Sequence, residues 1–457
     1  MISAHDLIEW GHTPGAWFGS ALQQANALLA KGASLDDVRL MIAALAPPEV
    51  AQLPLQPEGA VEVRANILPN SAADEANIAE VMRAMAVLAR VPTIRAAAVM
   101  PDACPAGIIP VGGVVAAENA LHPGLHSADI CCLVAFANLG RADPKQVLDR
   151  AMEVTHFGWG GRVGDQVQPM PEDIRARVAA NPYLSRKPFP LDAHFATQGD
   201  GNHFLFVGRL RSTDEVCIVT HHGSRGPGAT LYTAGMKDAE RFRLALSPAT
   251  PAGAGWLPAD TTEGQNYWEA LQILRDWTRA SHRRIHELVA QKVGHEIRDW
   301  FWNEHNFVFR RADGLYWHAK GATPGWAEYD RTLVPMNMAE PILITRGTGS
   351  VNGHGFLPHG AGRNFSRTRF LSANPDVAPP SGIDLRAYSG VHDRSELPQA
   401  YKSAAEVRAQ MRHFDLAEIL DEVLPYGSIM AGQQPPEPWR VKRMERRRAT
   451  QQEAEPG

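Results

Sequence analysis

His359 is followed by Gly360, Ala361, Gly362 and Arg363, a run well suited to covalent chemistry on an imidazole. Small neighbours let a large group reach a ring nitrogen and let backbone N–H groups face an anion. The guanidinium fork of Arg363 matches phosphate. Ser366 and Arg367 follow within the same stretch and add a hydroxyl and a second guanidinium. Such a loop can carry a phosphoryl or nucleotidyl group on histidine. The same residues also make an ordinary glycine-rich turn with a surface histidine.

A second set of residues could hold metal. Asp129 and Cys132 form an Asp-x-x-Cys unit at the start of a β-prone run. A carboxylate and a thiolate at this spacing can serve one divalent ion, or two if the sulfur bridges. His203 in Gly-Asn-His-Phe, His221 in Thr-His-His-Gly-Ser-Arg-Gly and His305 in Glu-His-Asn-Phe stand beside glycines or asparagines where strands meet turns. Mixed Asp, Cys and His ligands suit Mn²⁺, Zn²⁺ or Fe²⁺ better than Mg²⁺ or Ca²⁺, which prefer oxygen. Taken singly, each unit also reads as a core or turn residue, and Cys131-Cys132 as buried apolar filler.

The elements that must position these groups alternate in style. Helical spacing occurs at 21–30, 35–45 and 73–89, then over a long stretch from 266 to 297, and again at 404–413. Between them lie short β-prone runs at 97–100, 108–116, 132–137, 204–207, 216–220, 307–309, 315–318 and 342–345, separated by Gly, Pro and His turns. This mixture predicts an α+β fold, one large mixed α/β domain over 1–432 with its chemistry on loops and strand ends. Residues 1–74 form a divergent N-terminal part, and 433–457 form a polar, basic tail. That tail holds Trp439, Arg440, Lys442, Arg443 and Arg446 to Arg448, which read as a solvated end or as an arm for an RNA backbone.

Composition narrows the function classes. The 457 residues carry a formal net charge of −5, so nucleic acid would have to be met by a local basic patch. No apolar run approaches the roughly 18–20 residues of a membrane span. The first 17 residues include His5, Asp6 and Glu9 without a continuous apolar core, so a signal peptide is not expected. Four cysteines are too few to frame a chain this long, which predicts reduced thiols and a cytoplasmic location.

Together, Asp129-Ile-Cys-Cys132, Gly201-Asn-His-Phe204, His221-His-Gly-Ser-Arg-Gly226, His305-Asn306, Lys320-Gly-Ala-Thr323 and His359-Gly-Ala-Gly-Arg363 resemble the motifs of the RtcB family of RNA-splicing ligases, in the same order. Met100-Pro-Asp-Ala and Val111-Gly-Gly-Val-Val-Ala-Ala117 are similar to that family's upstream stretch. The resemblance runs over about 75–370, with an echo at 425–432. It implies an RNA ligase that joins a 2′,3′-cyclic phosphate or 3′-phosphate to a 5′-hydroxyl, with GTP and two Mn²⁺ ions, in RNA repair or tRNA splicing. By the same resemblance Asp129, Cys132 and His203 hold one metal, and Cys132, His221 and His305 hold the other. His359 is then the nucleophile that takes GMP. Asn202, His203, Phe204, His305, Asn306, Pro335, Met338 and the loop His359, Gly360, Ala361, Gly362 border the nucleotide. Ser224, Arg225, Arg363 and Arg367 are expected to hold RNA phosphates. The implied partner is RNA, with no membrane, and no activating protein can be named.

Several positions depart from the family pattern. Its Asp-Ile-Gly-Cys-Gly becomes Asp129-Ile-Cys-Cys-Leu133, and Cys104 stands where a histidine is expected. Phe206, Ile342 and Met430 (or Ala431) occupy positions that in the family read guanine, and Pro335-Met-Asn-Met338 replaces a Pro-Gly-Ser-Met element. Base identity therefore stays open. So do two other readings: a binuclear metal-dependent RNA-end phosphohydrolase, and an inactive RNA-binding relative.

Overall fold

A computed structural model describes residues 1–12, 17–46, 51–158, 160–186 and 189–433. The basic segment from Trp439 to Arg448 lies outside the described residues. The chain divides into two compact units, Met1–Gln52 and Leu53–Gly457.

In the first unit the helices Ala4–Glu9, Trp17–Ala30 and Leu35–Leu45 pack around Leu7, Phe18, Ala21, Ala25, Val38 and Ile42. Two of them open on reciprocal caps, Ser3 with Asp6 and Ser34 with Asp37, which satisfy backbone donors left free at a helix start. None of the candidate site residues lies in this unit.

The second unit carries two main sheets. One runs in the order Val63–Ala65, Ile94–Cys104, Val111–Ala117, Tyr316–Lys320, Asn306–Arg310. The other runs Thr332–Val334, Ile342–Gly347, Ala417–Met430, Phe204–Leu210, Val216–His222, Leu133–Gly140, Asp299–Glu304, and Asp384–Ala387 pairs alongside Ala417–Met430. This is the mixed α/β architecture that the alternating sequence predicts. No helix among the described residues is long and apolar enough to cross a membrane.

Strand pleating explains how the larger sheet is buried on both faces. Leu205, Val207, Val216 and Ile218 point one way and pack with Ile273, Trp277, Ile285 and Val289 of the long helix Thr262–Val293. Phe206, Cys217, Val219, Val134 and Phe136 point the other way and pack with Phe301, Leu333, Ile342 and Val423. The long helix starts where the Thr261 side chain accepts from the Gly264 N–H, four residues earlier than its apolar stripe suggests. It ends at Gly294, whose left-handed backbone (φ 73°) closes the last turn before residue 297 is reached.

Imidazoles are unusually common in this core. His122 bonds Thr93 and the Ala254 carbonyl, His126 bonds the Tyr267 hydroxyl, and His286 bonds Thr220 and the Trp300 indole. Burial holds His122 and His126 down to about 4, and His286 to about 3. An unfolded histidine titrates near 6.5, so between these values the unfolded chain binds protons that the folded chain refuses. Stability should therefore fall as pH drops from about 6.5 towards 4, read as a falling denaturant midpoint. The His126→Gln variant should show a shallower slope, by up to one proton; a midpoint that stays level or rises on acidification would contradict neutral buried rings.

Candidate metal and nucleotide site

Four adjacent strands of the larger sheet deliver the ligand candidates to one end. Leu133 pairs with both His222 and Glu304, and Phe204 pairs with His221. Cys132, His203 and His305 each sit one residue outside a strand at that end, and His221 is the next-to-last residue of its own strand. Alternation then separates the vicinal histidines. His221 shares the face of Cys217 and Val219, whereas the ring of His222 lies flat against His282 of the long helix, with centroids 3.5 Å apart.

The resulting cluster is tight. Cys132 Sγ lies 3.1 Å from His221 Nε2 and 3.7 Å from His203 Nε2. His221 Nε2 is 3.1 Å from His305 Nε2, and His203 Nε2 is 3.1 Å from Asp129 Oδ2. Two groups of three, Cys132 with His221 and His305, and Asp129 with Cys132 and His203, have ligand atoms within 4.8 Å of one another and share the sulfur.

The donor set fits divalent cations. His203 Nδ1 donates to the Gln198 carbonyl (2.6 Å) and His221 Nδ1 to the Asn202 carbonyl (3.1 Å), which leaves both Nε2 lone pairs facing inward. Burial, together with His203, holds His221 down to about 3; burial, then His359 and His221, holds His305 well below its ordinary range. Both rings are therefore neutral, the form that ligates metal. Burial opposes charge on Asp129, yet His203 and a Cys132 hydrogen bond hold its carboxyl well below the usual range. Burial and Asp129 push the Cys132 thiol well up, so a thiolate here needs a cation beside it. Asp, Cys and His donors of this kind suit Mn²⁺, Zn²⁺ or Fe²⁺.

Local backbone chemistry holds the ligand loops. Cys131, where the family pattern has glycine, keeps the left-handed backbone that glycine favours (φ 54°), at a cost of about 1–2 kcal/mol for a side-chain-bearing residue. Its N–H donates to Asn306 and its side chain is buried in the core. Gly223 follows the two histidines because a Cβ there would lie 2.0 Å from Asp129 Oδ1. Ser224 has a different task from the expected phosphate contact. It is fully buried and its hydroxyl donates to the Ile130 carbonyl (2.6 Å), tying the two ligand loops together. Arg225 lies against Gly199 and donates to the Gly158 carbonyl, and it does not line the cleft described next.

The His359 ring stands beside this cluster, its centroid 4.9 Å from that of His305. Its Nδ1 bonds Asp102 Oδ2 at 2.5 Å, and its backbone N–H donates to the same oxygen. Asp102 is fully buried on the strand Ile94–Cys104. A carboxylate on Nδ1 fixes the tautomer and leaves the Nε2 lone pair for chemistry. Gly362 (φ 73°) brings the loop against this strand, since a Cβ there would lie 2.0 Å from the Asp102 carbonyl oxygen. Lys402, also buried, donates to the Ala103 carbonyl through its ammonium and to the Gly362 carbonyl through its backbone N–H, joining the two segments. Sequence reasoning missed both Asp102 and Lys402. Asp102 carried one signal, its place in Met100-Pro-Asp-Ala; Lys402 carried none.

A cleft opens in front of His359. Of the expected nucleotide contacts, Asn202, Phe204, Pro335, Met338 and the loop His359 to Gly362 line it. His203 and His305 stand behind in the ligand cluster, and the Asn306 side chain instead accepts from the Gly321 N–H. The two arginines differ. Arg363 spends all three nitrogens on Phe365, Ser395 and Glu396, whereas Arg367 bonds Glu396 through Nε.

The sequence model of the family described as tRNA-splicing ligase RtcB matches residues 172–431, more than half of the chain. The chain belongs to the RtcB family. That match includes His203, His221, His305 and His359, while Asp102, Asp129 and Cys132 of this RtcB protein lie before it. The tRNA-splicing ligase RtcB of Aeropyrum pernix is 32% identical over 270 residues, 48% of this chain and 55% of that protein. RNA-splicing ligase RtcB1 of Escherichia coli is 26% identical over 364 residues, 71% of this chain and 87% of the relative. RNA-splicing ligase RtcB of Mycobacterium tuberculosis is 27% identical over 274 residues, covering 50% and 63%. The matched part thus spans little more than half the length of the Aeropyrum relative.

If the sulfur is shared by two ions, Cys132→Ala should empty both positions at once, whereas Asp129→Ala should weaken mainly one. Elemental analysis of the purified variants after Mn²⁺ loading and desalting checks this; two ions retained in Cys132→Ala would refute the shared ligand.

Proposed function

We propose that this RtcB protein is an RNA ligase that joins a 3′-phosphate or 2′,3′-cyclic phosphate end to a 5′-hydroxyl end through a nucleotide carried on His359. The observation that carries the reading is the Asp102–His359 pair set beside a bimetallic ligand cluster. A hydrolase could use the ligands alone to activate water. There the Asp102–His359 pair would act only as a general base towards water, and no nucleotide would become bonded to the ring.

The chemistry follows from the groups present. With Nδ1–H bonded to Asp102, the His359 Nε2 lone pair attacks the α-phosphorus of a nucleoside triphosphate, GTP by family resemblance. A P–N bond forms, the P–O bond to pyrophosphate breaks, and pyrophosphate leaves. The Asp102 carboxylate balances the positive charge that grows on the ring. Two ions held by Asp129, Cys132, His203, His221 and His305, Mn²⁺ by family resemblance, would supply charge neutralisation at phosphoryl oxygens. The nucleotide next passes to the RNA 3′-phosphate oxygen, breaking the P–N bond and forming a P–O–P link. Attack by the 5′-hydroxyl on the RNA phosphorus then forms the phosphodiester and releases the nucleoside monophosphate. A cyclic end needs one water first to open it to a 3′-phosphate. Arg367 lines the cleft and would meet an RNA phosphate, and RNA repair or tRNA splicing would supply such ends.

Incubation with Mn²⁺ and α-³²P-labelled nucleotide should give acid-labile, alkali-stable label on the protein, absent from His359→Ala. Asp102→Asn should keep its metal yet label at least about 100-fold more slowly, because the tautomer is no longer fixed. Failure to label with any of the four nucleoside triphosphates would overturn the proposal.

A further inference from the structure

The cleft has one wall that the proposed phosphate chemistry does not use. Phe204 pairs with the ligand His221, and Phe206 lies two residues further along the same strand, roughly 7 Å from that row. On the neighbouring strand Ser428 pairs with Phe206 and Met430 with Phe204, so these side chains share a face. Ile342, at the start of the next strand, and Met336 join the lining. Phe206, Ile342 and Met336 are each almost wholly buried, at 2%, 1% and 2% exposure.

The cleft's polar groups are largely committed elsewhere. Glu396 is the one carboxylate among the described residues lining it. Its Oε1 accepts from Arg367, and its Oε2 accepts from Arg363 and from the Tyr401 hydroxyl. Asn337 accepts the Ala339 N–H on its side-chain oxygen. Guanine presents an N1–H and an amino group on one edge, and both need acceptors. Among the described residues the Ser428 hydroxyl is the one side-chain acceptor on this wall, so at least one of the two donors loses water and gains no partner, which costs on the order of tenfold in affinity. Adenine has one amino donor and a ring acceptor on that edge, so it loses less, and both purines stack on aromatic and thioether side chains.

We propose that this wall is a base slot without selectivity for guanine, so that the enzyme accepts ATP about as readily as GTP. The inference rests on the nucleotidyl-transfer reading for its purpose, but its test does not. Equilibrium dialysis of the full-length, Mn²⁺-loaded protein against ATP and GTP should give dissociation constants within about tenfold of each other. A preference for GTP beyond about tenfold, or binding of neither purine, would overturn it. Phe206→Glu, which supplies an acceptor for the N1–H and amino donors, should move the ratio towards GTP by about tenfold. Met430→Lys, at the half-buried rim where folding is less at risk, should do the same through the guanine carbonyl. If neither variant moves the ratio, the wall does not contact the base and the proposal fails. Labelling is scored in parallel. Equal binding of both purines without label on His359 would leave the slot standing and remove the ligase mechanism instead.

Discussion

The fold is constrained by the convergence of lone pairs at one largely buried spot. Three imidazole nitrogens, a thiol sulfur and a carboxylate oxygen meet at the end of four hydrogen-bonded strands, and backbone carbonyls hold the ring protons of His203 and His221 on the far side. Unpaired acceptors this close repel, and burying them is costly unless a cation or proton sits between them. The sheet holds them there because their positions are set by backbone register, and the register is held by apolar packing on both faces.

The second sheet contributes the other half of the chemistry. Asp102 comes from its strand Ile94–Cys104, and His359 follows the short strand Phe356–Pro358. The contact between them is direct, and the buried ammonium of Lys402 lies on the carbonyls either side of Asp102. A carboxylate without a nearby positive group would be expensive at this depth; the Lys402 charge and the imidazole together offset it. The His359 ring is therefore oriented by a carboxylate 257 positions away in sequence.

Much of this was legible in the residues themselves. The ligand candidates could be picked out because each imidazole or thiol stands at the edge of a β-prone run, and strand ends are where side chains reach a cleft. Six motifs in one order also carried the family resemblance. Ser224 was misread because a hydroxyl beside an arginine looks like an anion site, and only the fold shows it spent on the Ile130 carbonyl. Lys402 was invisible, and Asp102 showed only as part of Met100-Pro-Asp-Ala, because their partners lie far along the chain. The helix Arg225–Leu246 and the strand Ala417–Met430 escaped notice for a related reason. Their spacing is broken by glycine, proline and charge, and only tertiary packing makes them regular. The separate compactness of Met1–Gln52 likewise depends on which helices touch, which periodicity does not reveal.

The paired histidines at 221 and 222 carry a further consequence. Because successive strand residues face opposite ways, one of the two always points to the cleft and the other to the long helix. A slip of this strand by a single position would still present an imidazole to the ligand cluster, yet it would pull every apolar neighbour through the sheet and part His222 from the flat face of His282. A misregistered chain could thus mimic the donor set while lacking a core, so metal uptake alone is a poor proof of correct folding. The ring stack behind the sheet is the more discriminating witness.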